Sequence, residues 1–223
     1  MSTIKWGNSS IKNIYWGSTP VKEVWYGSNK IWSNCPYTPD QVLFESSTPG
    51  TYSLNILTDG VYEVYCIAGG SGGATMRMVK WFTASGASGS GYIGNLKITR
   101  NTYQIVVGDG SSGKYKSTER VSNAGNSSVS NVVTSYGGKG GQASNSLSEN
   151  SRAIGGDIPS IYVQEISFTL KQSGNNGTIT NQSGSYSGGA SLYNDYGKGG
   201  DVYTNHYAND GANGYVKIIF KHQ

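Results

Sequence analysis

Charged residues are scarce in this chain: they make up 13% of its 223 residues, about half the share usual in a soluble domain. Other types are scarce too, and each shortage removes a class of function. There are two histidines and two cysteines, and His206, His222, Cys35 and Cys66 match no ligand spacing of a closed zinc site. No metal or other cofactor is expected. Five prolines, and glycines that do not recur at every third position, exclude a collagen-like rod. No run approaches the ~20 apolar residues of a membrane-spanning helix, and the first seven residues lack the charged-then-apolar layout of a secretory leader. Neither membrane insertion nor a leader is expected. The net charge of +4 is too small to argue for nucleic-acid binding, and +3 of it falls within residues 1–32, where Lys5, Lys12, Lys22 and Lys30 stand against Glu23. Cys66 lies in the apolar run 64–68, where a thiol behaves as a small hydrophobe; its pairing with Cys35 is left open.

What the chain has in abundance is glycine (33), serine (32) and asparagine (19). It also carries 26 aromatic residues, 17 of them tyrosine, so it has material for a core that a disordered Gly/Ser linker lacks. A ten-residue repeat opens the sequence, with the form apolar-x-aromatic-Gly-(Asn/Ser)-x-x-apolar: Ile4-Lys-Trp6-Gly7, Ile14-Tyr-Trp16-Gly17, Val24-Trp-Tyr26-Gly27. Gly7, Gly17 and Gly27 stand where tight turns need positive φ, and the runs between them are rich in β-branched and aromatic side chains. The pattern predicts a β-meander over 1–34. Aromatics point from both faces of its strands, so Trp6, Trp16, Trp25, Tyr26 and Trp32 are candidate contacts to another subunit or protein. The interleaved lysines are read as solubilising a strand edge rather than as a nucleic-acid surface.

Beyond the two prolines of Pro36-Tyr-Thr-Pro39 the period stops, which predicts a linker at 35–43 and a second domain at 44–223. Strand-like runs at 51–57, 61–68, 92–98, 103–107, 128–134, 165–172 and 215–220 alternate there with glycine clusters. The expected class is all-β: the N-terminal meander plus a glycine-rich β-sandwich, jelly-roll-like, with the clusters as loops at its ends. Segment 74–85 fits neither helical nor strand periodicity cleanly.

Gly108-Asp-Gly110-Ser-Ser-Gly113-Lys114 matches two phosphate-loop patterns. With 33 glycines such a match is expected by chance, and the residues after it have no helical periodicity to form the phosphate-binding helix. No nucleophile elbow, histidine-based triad or calcium-loop spacing is present, so no enzyme is expected. The better site candidate is the stretch holding Tyr186, Tyr193, Asn194, Asp195, Tyr196, Tyr203, Asn205, His206 and Tyr207. Rings beside amides and a carboxylate suit sugar recognition, through stacking and hydroxyl hydrogen bonds; packing of the same rings on glycine backbone is the competing role.

The order of strand, double-glycine cluster, Gly91-Tyr-Ile-Gly94-x-Leu96, Tyr103-x-Ile-Val-Val-Gly-Asp-Gly110, Asn123-x-Gly-x-Ser-Ser128 and the closing Gly211-Ala-Asn-Gly-Tyr-Val-x-Ile218 resembles the glycine-rich domain of bacteriophage virion proteins, especially tail fibres and receptor-binding tips. The Trp/Tyr-Gly-Ser repeat is similar to short modules of phage tail and head-associated proteins. The resemblance implies a non-enzymatic virion protein, assembled in the bacterial cytoplasm. It implies attachment to other virion proteins through residues 1–34, a homo-oligomer with a trimer as the first expectation, and a host-surface glycan as ligand. An architectural head-decoration or tail-assembly subunit and a lectin-like module are the alternatives.

Overall fold

The computed structural model describes residues 5–6, 9–10, 14–21, 23–77, 81–144, 151–204 and 206–223. Among them are strands, turns and extended segments and no α-helix. Two five-stranded antiparallel sheets form a sandwich. One has the order Glu165–Gln172, Gly91–Ile98, Gly60–Ile67, Tyr215–His222, Gln41–Ser46; the other has Ser160–Ile161, Val133–Ser135, Ser127–Val129, Asn101–Val107, Gly50–Ile56. Alternation drives this arrangement. In Gly60–Ile67, Tyr62, Val64 and Cys66 are fully buried while the residues between them are part-exposed, and Tyr103, Ile105 and Val107 do the same from the facing sheet. Phe220 packs at the end of this core, 5.3 Å from the Tyr62 ring and 5.4 Å from that of Tyr37.

All seven expected strands of the body are present, with one correction. The run 128–134 is two short strands joined by a turn in which Asn131 takes a left-handed φ of 56°, a conformation asparagine tolerates better than most residues. Segment 74–85 resolves as a β-hairpin, Ala74–Arg77 against Trp81–Ala84.

The segment 35–43, expected to be a linker, is bound into the sandwich. Cys35 and Tyr37 are buried in its core, the Tyr37 hydroxyl accepts from Leu57 N at 2.8 Å, and Gln41–Ser46 is an edge strand. Both cysteines are buried, and they are not joined in a disulfide. The expected N-terminal meander is corrected as well. Lys5–Trp6 pairs with Ser9–Ser10, Ile14–Trp16 with Thr19–Val21 and Glu23–Tyr26 with Asn29–Ser33, as three separate two-stranded sheets. The second and third repeats close on themselves because their glycines make two-residue turns: Gly17 and Gly27 have φ of 62° and 59°.

The glycine clusters were expected as loops at the ends of the sandwich; they form a second core instead. Ten extended segments, at 68–73, 85–90, 108–113, 121–126, 136–142, 151–157, 173–178, 187–191, 196–201 and 208–214, lie side by side and hydrogen-bond one another through their backbones. Segment 68–73 is central. Ala68 and Ser71 both donate to segment 85–90, Gly70 and Gly73 both donate to 208–214, and the carbonyls of Gly70 and Gly73 both accept from 108–114. Partners thus recur every third residue. That is the period of an extended threefold helix, which has no internal hydrogen bonds and directs its N–H and C=O groups outward to neighbours. Segment 85–90 is the second centre: Ser85 and Ser88 donate to 173–178, and Gly86 and Gly89 donate to 196–201. Such packing leaves no room for side chains at the contacts. A Cβ on Gly86 would overlap the Ser71 carbonyl oxygen, and one on Gly211 would overlap that of Gly70.

Candidate functional site

The glycine block sets which parts of the chain meet. Segments leave the sandwich from Ile67, Val107, Ser135 and Gln172, and segments return to it at Gly91, Ser127, Ser160 and Tyr215. The described turn residues between outgoing and returning segments, at 74–77 and 81–84, 114–120, 179–186, and 202–204 and 206–207, therefore lie together at the end remote from the sandwich. The chain's N-terminal hairpins enter at the opposite end, where Tyr37 meets Asn55, Leu57 and Phe220.

At the remote tip, hairpin 74–84 and turn 114–117 are knitted together. Thr75 N donates to the Lys114 carbonyl at 2.8 Å, Ser117 N donates to the Thr75 carbonyl at 2.9 Å, and Lys116 N donates to Thr75 Oγ1 at 3.2 Å. This brings the rings of Trp81 and Tyr115 into a stack, 6.5 Å apart at 22°. The Arg77 guanidinium lies over Trp81 at 5.6 Å and the Lys116 ammonium over Tyr115 at 5.1 Å. Lys116 adopts a left-handed φ of 52°. In turn 202–207, Tyr203 stacks on His206 at 4.6 Å and 10°, and Tyr207 lies 5.9 Å from Tyr203. Behind these turns, Met76, Phe82, Val121 and Ala143 make a small apolar cluster that fixes their bases.

A family model described as a glycine-rich domain matches residues 46–220. The chain belongs to the glycine-rich domain family. No curated protein matches it.

Within the glycine-rich domain, the sequence-predicted ligand residues divide between two ends. Tyr186, Tyr203, His206 and Tyr207 are at the remote tip; Asn205 lies outside the described residues. Tyr193, Asn194, Asp195 and Tyr196 are at the sandwich end, in the turn between segments 187–191 and 196–201. There Tyr193 and Tyr196 pack on the outer face of the first sheet. Tyr196 stacks on Tyr215 at 4.5 Å and 6°, and Tyr193 lies 5.3 Å from Tyr65. Asn194 and Asp195 have φ of 43° and 63° and form the turn itself. The Tyr193 and Tyr196 rings are thus engaged in packing, while Asn194 and Asp195 are exposed. Burial raises the Tyr215 hydroxyl above the usual phenol range, and its donated hydrogen bond to Glu45 Oε1 at 2.7 Å holds that carboxyl below its ordinary value.

Of the candidate attachment residues, Trp16, Trp25 and Tyr26 are 86%, 53% and 79% exposed. Trp6 and Trp32 fall in the first and third hairpins, and their side chains are outside the described residues. The family match begins at Ser46 and leaves all three hairpins outside it.

The phosphate-loop pattern at 108–114 is one of the ten packed segments, and the N–H groups of its glycines are occupied, that of Gly108 by Ser127 Oγ. Gly110 donates to Asn213 Oδ1, Ser111 to the Gly70 carbonyl, Gly113 to Asp210 Oδ1 and Lys114 to the Gly73 carbonyl. No cluster of metal-ligating side chains is present among the described residues. Sequence reasoning missed the Arg77, Trp81, Tyr115 and Lys116 stack. Its members are 39 positions apart, and only the hydrogen bonds between the bases of two turns bring them together.

Proposed function

We propose that this glycine-rich domain protein is a non-enzymatic subunit of a bacteriophage particle, part of a tail fibre, tail tip or similar appendage, that touches the host cell surface. In this reading the hairpins of residues 1–34 attach the chain to other virion proteins or to further copies of itself, with a trimer the first arrangement to test. The tip of the glycine block meets the cell. The observation that carries the reading is the opposition of two aromatic surfaces. Exposed Trp16, Trp25 and Tyr26 lie on the hairpin side of the sandwich, and Tyr115, Tyr203 and Tyr207, each more than a third exposed, lie at the far tip. A backbone-packed block between them gives the tip a rigid support, and loops on rigid supports are where binding residues concentrate.

The test is competition. Purified full-length chain should block adsorption of the particle that carries it, and replacement of turns 114–120 and 202–207 by Gly-Ser links should abolish that effect. Undiminished infectivity of particles carrying the replaced turns would remove the adhesive role and favour a purely architectural subunit.

A further inference from the structure

Two cations at the tip, Arg77 and Lys116, are held by rings and not by acids. Elsewhere five lysines of the body are matched, Lys139 with Asp157, Lys171 with Glu165, Lys198 with Asp201, Lys217 with Glu45, and Lys221 with Asp40 and Glu63, while the exposed Lys97 and Arg100 side chains have neither an ion-pair partner nor a ring beside them among the described residues. In turn 114–120 the acid, Glu119, is taken by Lys114 at 2.9 Å. Arg77 and Lys116 have no carboxylate partner among the described residues; Arg77 lies over the Trp81 ring and Lys116 over the Tyr115 ring of the stacked pair, and both are exposed. The distinction matters chemically. A carboxylate partner would neutralise the cation and compete with an incoming anion, whereas an aromatic face fixes the cation's position and leaves its charge and most of its N–H donors available. The left-handed backbone of Lys116, which glycine would adopt without strain, places a charged side chain on the Tyr115 ring.

The geometry points to an anionic saccharide, bearing phosphate or carboxylate groups, as the ligand class of this tip. Arg77 and Lys116 contact its charges, and the neighbouring Tyr203, His206 and Tyr207 rings take its apolar sugar faces. The inference rests on the adhesive reading above. Two cations, each over a different ring of one stacked pair, fit a ligand with separated charges better than a single monoanion, and the adjoining exposed rings favour a sugar over a simple ion.

The experiment uses the full chain and its R77Q/K116Q variant, which should match in thermal unfolding because neither side chain is buried. Binding is measured to immobilised phosphomannan and mannan, to polygalacturonate and its methyl ester, and to a panel of bacterial cells, at low and high salt. The expected result is at least tenfold tighter binding to one charged polymer than to its neutral counterpart. That preference should be lost in R77Q/K116Q and weakened by salt; the polymer that binds distinguishes phosphate from carboxylate. Equal binding to charged and neutral polymers would overturn the ligand class, as would unchanged binding by R77Q/K116Q. Cell binding that survives both R77Q/K116Q and high salt would overturn the ligand class while the adhesive reading stands. Absence of binding to any cell would remove the adhesive reading and this inference with it.

Discussion

Glycine, serine and asparagine do different work in the block they build together. Glycine stands at the contacts, where a neighbouring carbonyl occupies the space a Cβ would take. Serine serves the interior: the hydroxyls of Ser71, Ser85, Ser88 and Ser90 accept from the N–H groups of Ala87, Thr178, Asn175 and Tyr136. Asparagine and aspartate close the periphery, where Asn126, Asn123, Asn176 and Asp201 accept from Gly137, Gly140, Gly155 and Gly188. Gly86→Ala, whose new methyl would meet the Ser71 carbonyl, should therefore destabilise the protein by ~3 kcal/mol or more in urea unfolding. Asn126→Ala should cost about 1–2 kcal/mol by leaving the Gly137 N–H without its acceptor, and Asn126→Asp should cost less because an acceptor remains. Burial pushes the Cys66 thiol from an ordinary value of 9.0 up to about 12, so the folded state holds that proton more tightly than the unfolded chain does. Its contribution is complete below pH 9 and is lost as pH rises toward 12. Cys66→Ala should flatten the fall of unfolding free energy over that window, although it lowers stability at pH 7 by removing core volume.

At the scale of elements, sequence and structure agree where side chains alternate and part where there are none. Tyr62, Val64 and Cys66 mark a strand at a glance because every second residue is apolar. Segment 68–73 carries no such mark. Its identity lies in partners at 87, 125, 209 and 212, which no local pattern reveals. The signal that was present, clusters of about six residues in outgoing and returning order, is one of length and spacing and not of chemistry. The same limit explains the hairpins. The repeat predicts turns at Gly17 and Gly27, and they are there; it does not say whether adjoining strands pair across repeats, since both alternatives satisfy the same alternation. With Trp16 and Tyr26 so exposed, Trp16→Ser with Tyr26→Ser should leave the melting temperature nearly unchanged and reduce the mass of any assembly seen by light scattering.

The whole molecule depends on contacts far apart in sequence: segment 68–73 alone binds residues as distant as Ala212. Such topology makes folding slow, because long loops must close before their contacts form. Each glycine segment is also covalently continuous with a sandwich strand or a neighbouring segment, and among the described residues the small cluster around Met76, Phe82, Val121 and Ala143 is too little apolar core for the block's far end to survive alone. One cooperative urea transition is expected, reported alike by tyrosine fluorescence from the sandwich and by hydrogen exchange at the glycine amides. The N–H groups of Gly70 and Gly86, though they belong to residues without side chains, should be among the slowest to exchange.

The crosswise hydrogen bonds of the block bear on how the molecule carries load. If the hairpins are held at one end and the tip is pulled at the other, tension runs along segments bonded perpendicular to the pull. Those bonds are then loaded in shear, many at once, instead of being unzipped one by one. A rod of nearly bare backbone becomes a mechanical tie, and the sandwich beneath it, whose strands run on into the segments, takes the strain across both sheets.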